Sequence, residues 1–365
     1  MAILTNPYEG INWGTISRYK GGFHNHCSRD TASSHPPEAV AAEIDGFGYD
    51  VWARTEKNSI ETMPDGFNFK RVLGMERTSG VIEHQIVLFV DAFTTMKTAD
   101  DLGAIQWWAH PWDAGRPKNT FAQARDIFEA YPSFIGLEIF SRGQPNGLGA
   151  GEAAPDTIAG DIHPHRRGEG QYTRTTYLWD RLLKEVRWRN FFVTGVGDFY
   201  NSNNGFPEKY RTPHILMLCD GLDDEALKNC FRSGQFFAVS EMDTENDLFE
   251  IDHVTVSGSE ISVGVSGQHE KIYWMYDRRI VHEGPTYPLS MRETGQEYVR
   301  FEVWNKASDY WENPNWDADT SNYYSANVIA SQPFVWDMEE PPAPTPPGRT
   351  ARNLSGMWPV IFGRG

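Results

Sequence analysis

Long apolar runs are missing from this sequence. No stretch of about 18 apolar residues occurs, so no helix is expected to span a bilayer. Cysteine is scarce: Cys27, Cys219 and Cys230 are an odd, scattered set, which argues against a disulfide framework and reads as free thiols of a reducing compartment. Basic charge is short, with 33 Lys and Arg against 50 Asp and Glu and a net charge of −17. That balance argues against a nucleic-acid coat protein or a lipid-surface binder, both of which need a basic face. The opening residues, MAILTNPYEGINW, lack a basic stretch followed by an apolar one, so no signal peptide is expected and the expected location is cytoplasmic. Aromatic residues, by contrast, are plentiful: 13 Trp, 15 Tyr and 21 Phe supply enough apolar bulk for a sizeable core, which excludes general disorder.

The 365 residues suggest two domains, or one large domain with an appendage. Charge divides the chain in the same sense. Residues 1–240 carry 24 basic and 30 acidic groups, 241–345 carry 6 and 20, and 346–365 carry three Arg and no acid. The expected units are 1–240, 241–338, and a Pro-rich linker with an apolar tail over 339–365.

In the first unit, short β-rich runs alternate with helical patterns, an α/β signature. Strands are expected over 19–24, 49–55, 71–77, 84–90, 105–110, 134–140 and 191–198. Helices are expected over 37–44, 121–130 and 225–232, the last capped by Asp223 and ended by Gly234. Such an order suits a barrel or a wound sheet, with a simple open sheet as the alternative. After Val239 the pattern alternates apolar and polar residues at period two, with turns rich in Gly, Ser and Asp, and predicts a small antiparallel β-sandwich. The linker reads EEPPAPTPPG, a stiff spacer. Beyond it, Leu354, Met357, Trp358, Val360, Ile361 and Phe362 either fold back on the chain or dock on a protein partner or a second copy of this chain.

Chemistry concentrates at the predicted strand ends. His24 and His26 share one face of an extended segment, so both imidazoles can converge on one metal ion. Glu76 closes the third strand, His84 opens the fourth, His110 ends the fifth and Asp198 ends the seventh. In barrel enzymes the C-terminal strand ends form the active-site face; His84, at a strand start, is the exception. Other features carry less. His163-Pro-His165-Arg166-Arg167 lies in a Gly-rich stretch and reads as an exposed loop or a lid. Trp107-Trp108 reads as barrel packing, and the Gly-rich 143–151 stretch lacks the Lys-Ser/Thr ending of a phosphate loop. The aromatics of 304–324 read as an inter-domain seam or a sugar-stacking surface.

The first 240 residues resemble the PHP (polymerase and histidinol phosphatase) domain. The resemblance rests on His24-Asn-His26, Ala53-Arg-Thr-Glu-Lys57-Asn, Gly74-Met-Glu76, Glu83-His84-Gln-Ile, Ala109-His110-Pro111 and Gly197-Asp198-Phe-Tyr200, in that order. The run from Glu225 to Val239 is similar to the family's closing helix and strand. It implies a distorted (β/α)7 TIM-like barrel and a metal-dependent hydrolase. It further implies one metal at His24, His26, Glu76 and Asp198, and a second that shares Glu76 and adds His84 and His110.

The departures bear on mechanism. Lys57 and Tyr200 stand where the family's third metal takes histidines, and neither side chain is a good ligand. A two-metal centre of Zn, Mn or Fe is therefore expected, with Lys57 supplying the charge of the absent third ion. Tyr200 can donate to a leaving group or merely pack. Arg54 and Arg142 are offered as anion clamps ahead of Arg77, and Asp30 stands near a shifted acidic position of the first motif. The expected function is hydrolysis of a small phosphorylated substrate. The alternative is a catalytically weakened component of a larger assembly, such as a phage virion, docked through residues 346–365.

Overall fold

The computed structural model describes residues 3–27, 36–78, 84–109, 121–141, 171–186, 191–196, 213–241, 249–277, 279–305 and 327–336. The first half comprises β1 (Ile3–Thr5), β2 (Ser17–Gly22), α1 (Pro37–Gly46), β3 (Val51–Arg54), β4 (Lys70–Arg77), β5 (Gln85–Leu88) and α2 (Met96–Asp101). It continues with β6 (Ile105–Trp108), α3 (Phe121–Ala130), β7 (Phe134–Ser141), α4 (Gln171–Glu185), β8 (Phe192–Val196), β9 (His214–Cys219), α5 (Asp224–Ser233) and β10 (Phe236–Glu241). The rest is β11 (Glu250–Val256), β12 (Glu260–Ser266), β13 (Lys271–Tyr276), β14 (Arg279–Glu283), β15 (Thr286–Pro288), β16 (Tyr298–Trp304), β17 (Asn327–Ala330) and β18 (Phe334–Trp336), with one 3-10 turn at Leu289–Met291.

Local chemistry sets the helix ends. Asp223 accepts hydrogen bonds from the amides of Glu225 and Ala226, and α5 stops at Gly234, whose φ of 74° suits a residue without Cβ. α5 buries Leu227, Cys230 and Phe231, the i, i+3, i+4 stripe of an amphipathic helix. α1 starts with Pro37 in its first turn and buries Val40, Ala41 and Ile44. α2 and α4 were not expected. α4 carries Thr and Tyr, which favour strands, yet it buries Leu178, Trp179, Leu182 and Leu183 along one face, and that packing decides its state.

The protein is a mixed α/β structure with one large mixed sheet and one small antiparallel sheet, β11-β12-β15. β2, β3 and β4 run parallel, as do β6, β7 and β8. β5 is antiparallel to β4, because residues 78–84 are too few for the crossover that a parallel neighbour requires, and it is antiparallel to β6 as well. β9 is antiparallel to β2, and β10 to β9. The sheet then continues past residue 240, since β17 pairs with β10, and β16 pairs with β13, β17 and β18.

One apolar cluster gathers the inward side chains of β3 to β9, among them Ala53, Val72, Ile86, Trp107, Ile135 and Met217, together with Phe192 of β8 and Phe231 of α5. The Phe231 ring lies 5.2 Å from Phe23 and 5.7 Å from Trp107, so α5 seals this interior. β8 lies against the start of β9 and the end of β10 at Gly195. A Cβ there would sit 2.5 Å from the His214 carbonyl oxygen, so no larger residue fits without backbone movement. A second cluster lies between the small sheet and the C-terminal strands, with Ile251, Ile261 and Tyr287 facing Trp274, Phe301 and Ile329. Cys27, Cys219 and Cys230 are buried free thiols. Among the described residues, no helix is long and apolar enough to cross a membrane.

Candidate metal centre

The site begins where β2 ends. Beyond Gly22 the chain buries Phe23, and His24, Asn25 and His26 follow, at most 1% exposed. Asn25 pins this segment to β3: its amide donates to Thr55 Oγ1 at 2.9 Å, its side-chain nitrogen to the Ala53 carbonyl at 3.2 Å, and its carbonyl accepts from the Thr55 amide at 2.8 Å. With Asn25 turned to β3, His24 and His26 face the same side, as alternation predicts, with ring centroids 5.3 Å apart.

Glu76 comes from the end of β4 and is fully buried. His26 Nε2 lies 3.3 Å from its Oε2, and His24 Nε2 lies 3.7 Å from its Oε1. Ligand atoms of His24, His26 and Glu76 all fall within 4.8 Å of one another. His84, immediately before β5, touches Glu76 Oε1 through Nδ1. Its φ of 57° is left-handed, a conformation that costs energy in a residue with a Cβ. Because β5 is antiparallel to β4, its beginning lies at the same edge as the end of β4, which explains the placement of His84.

Two buried carboxylates flank the histidines on their far side. Glu138, from the middle of β7, accepts from His24 Nδ1 at 2.9 Å and from Trp107 Nε1 at 3.0 Å, both on Oε1. Glu56 lies with Oε2 3.7 Å from His26 Nδ1 and accepts at Oε1 from Arg54 Nε at 2.7 Å and the Cys27 amide at 2.8 Å. Burial alone would raise the Glu56 pKa, but the nearby His26 imidazole and the hydrogen bonds from Arg54 and the Cys27 amide outweigh it and hold the carboxyl below its usual range. Arg54, expected as an anion clamp, is 6% exposed, and the structure places its guanidinium on Glu56. Lys57, which follows Glu56, is half-buried and forms a parallel β-bridge with Glu76, which sets the two backbones side by side.

Asp30, His110, Arg142, Asp198 and Tyr200 lie outside the described residues, as do His163-Pro-His165, the 143–151 stretch, 306–326 and the tail from 337. Sequence reading missed Glu138 and gave Glu56 no role. The available signal was a single acid inside the otherwise apolar run Phe134-Ile-Gly-Leu-Glu138-Ile-Phe, since a carboxylate buried in a strand needs a partner. Trp107, read as packing alone, also donates to that acid.

The residues present fit a divalent ion. Imidazole and carboxylate are standard ligands, and bonds of about 2.0–2.1 Å at tetrahedral angles put donor atoms roughly 3.3 Å apart. The 3.3 Å separation of His26 from Glu76 matches that spacing, and His24 stands slightly wider at 3.7 Å.

Fold and site together define a mixed α/β protein with a buried histidine–carboxylate group that can hold a metal. No family model matches the chain, and no curated protein does. In structure it is similar to a two-domain protein from Bacteroides vulgatus containing a predicted PHP-like metal-dependent phosphoesterase. The identity is 11% and the TM-score 0.47, over 83% of this chain and 93% of that one.

Proposed function

We propose that the chain is a metal-dependent hydrolase acting on a small phosphoester. The observation that carries this reading is the convergence of three imidazoles, His24, His26 and His84, on the single buried carboxylate of Glu76. A carboxylate with two oxygens, each approached by imidazole nitrogens, is suited to bridge two ions. In this reading β2 to β8 form a distorted (β/α)7 TIM-like barrel, closed by β9 and β10 and followed by a β-sandwich.

His24, His26 and Glu76 hold one ion, joined by Asp198, two residues beyond the end of β8. Glu76 and His84 hold the second, joined by His110, which follows Ala109, whose amide donates to the His84 carbonyl at 3.0 Å. Zn, Mn and Fe all suit these ligands. When bound, the ions supply Lewis-acid activation of water and neutralise charge on phosphoryl oxygens.

The chain's own groups do the rest. Lys57, held beside Glu76, presents an ammonium to the anionic substrate where the family places a third ion. Tyr200 would donate to the leaving oxygen, and Asp30 is a further candidate acid for the opening motif. The Arg54–Glu56 pair holds the Cys27 amide and so fixes the chain leaving the two histidines. A metal-replete screen against chromogenic phosphomonoesters and phosphodiesters, with His24→Ala as control, tests the reading. Turnover of one class that His24→Ala abolishes is expected; equal background with both proteins contradicts it.

A further inference from the structure

We propose that Glu138 is a positioning residue for the metal centre, one that acts through His24. The inference rests on the metal-centre reading above and extends it to a residue outside the ligand set.

An imidazole offers a metal either of two nitrogens, and its ring torsion is broad, so something must select the nitrogen and fix the plane. At His24 the selector is Glu138. Its Oε1 lies 2.9 Å from Nδ1, while Nε2 on the other side of the ring faces Glu76 at 3.7 Å. A carboxylate accepts and does not donate, so the Nδ1 that faces it is the nitrogen that carries the proton in the neutral ring, which leaves the Nε2 lone pair for the site. The same contact makes Nε2 a stronger donor to a metal.

Glu138 is itself held. Trp107 Nε1, which can only donate, reaches the same oxygen at 3.0 Å. Glu138 and Trp107 are both at most 1% exposed and lie on neighbouring strands, β7 and β6, so the carboxylate has a rigid base on each side. A carboxylate buried in a strand needs polar partners, and Glu138 has His24 and Trp107 among its own. The corresponding contact at His26 is looser: Glu56 stands 3.7 Å from Nδ1 and also serves Arg54 and the Cys27 amide.

The test titrates the metal-free full chain with Zn(II) against a chromogenic chelator, comparing wild type, Glu138→Gln and Trp107→Phe. Glu138→Gln should weaken Zn(II) binding by about 10- to 100-fold, as loss of such a partner does elsewhere. Trp107→Phe should weaken it less, because the His24 contact remains. Thermal unfolding of the metal-free variants serves as the folding control. Nitrogen-15 NMR of the metal-free wild type, with His24 identified by the signals missing in His24→Gln, should show the proton on Nδ1. Wild-type Zn(II) affinity in a folded Glu138→Gln, or a His24 proton on Nε2, overturns the proposal. If the wild type takes up no Zn(II), the metal-centre reading fails, and the His24 tautomer alone then decides the Glu138 relation.

Discussion

His84 reaches the carboxylate of Glu76 from a strand that runs against the one carrying Glu76, so a strand start and a strand end meet at one edge of the sheet. In the two-metal reading His84 belongs to the second ion and His26 to the first. His84→Ala should therefore lower the metal content from two ions to one, whereas His26→Ala should remove the first-site ligand set. Elemental analysis of both variants after dialysis checks this.

Arg54 and Lys57 stand three residues apart and should behave oppositely. Arg54 is buried against Glu56, so Arg54→Ala leaves a carboxylate without its guanidinium and should destabilise the fold by about 3–5 kcal/mol. Lys57 is half-buried beside Glu76, and Lys57→Ala should cut kcat/KM by roughly 10²-fold through lost electrostatic stabilisation. Denaturant unfolding and kinetics on the same two variants separate the roles.

Among the described strands β8 pairs only with β7, and Gln332 bonds its other side. Its side-chain amide accepts from the Val193 N–H at 2.9 Å and donates to the Val193 carbonyl at 2.9 Å, tying β8 to the segment between β17 and β18. Gln332→Ala strands two buried backbone groups, at about 1–3 kcal/mol each. A lower Tm is the expected result, with faster hydrogen exchange at Val193.

The buried tyrosines give the protein an alkaline limit. Burial raises the pKa of Tyr8, Tyr276, Tyr287 and Tyr298 above 10.0, and at Tyr276 the neighbouring Glu297 adds to it. Unfolded tyrosine loses its proton first, so the contribution to stability is complete below pH 10 and falls as pH rises above it. Phenolate absorbance should show a late set of tyrosines that titrates together with the loss of circular dichroism.

Alternation made the shared face of His24 and His26 legible, because period two fixes which face an extended residue takes, and Glu76 was legible as the acid closing the third predicted strand and through the Gly74-Met-Glu76 resemblance. The Asp223 and Gly234 ends of α5 were legible because caps are local chemistry. The reversal of β5 was not, because it depends on which strands pair, and neither was the continuation of the large sheet from β10 into β17. Glu138 stayed hidden for a related reason: its partners, His24 and Trp107, are 114 and 31 residues away, and only the fold brings them together.

The most direct test is the metal content and phosphoesterase activity of the full chain purified without chelator, beside Glu76→Ala. Bound transition metal and turnover are expected in the wild type, with both lost in Glu76→Ala. A wild type that binds no transition metal and has no activity for Glu76→Ala to remove would contradict it.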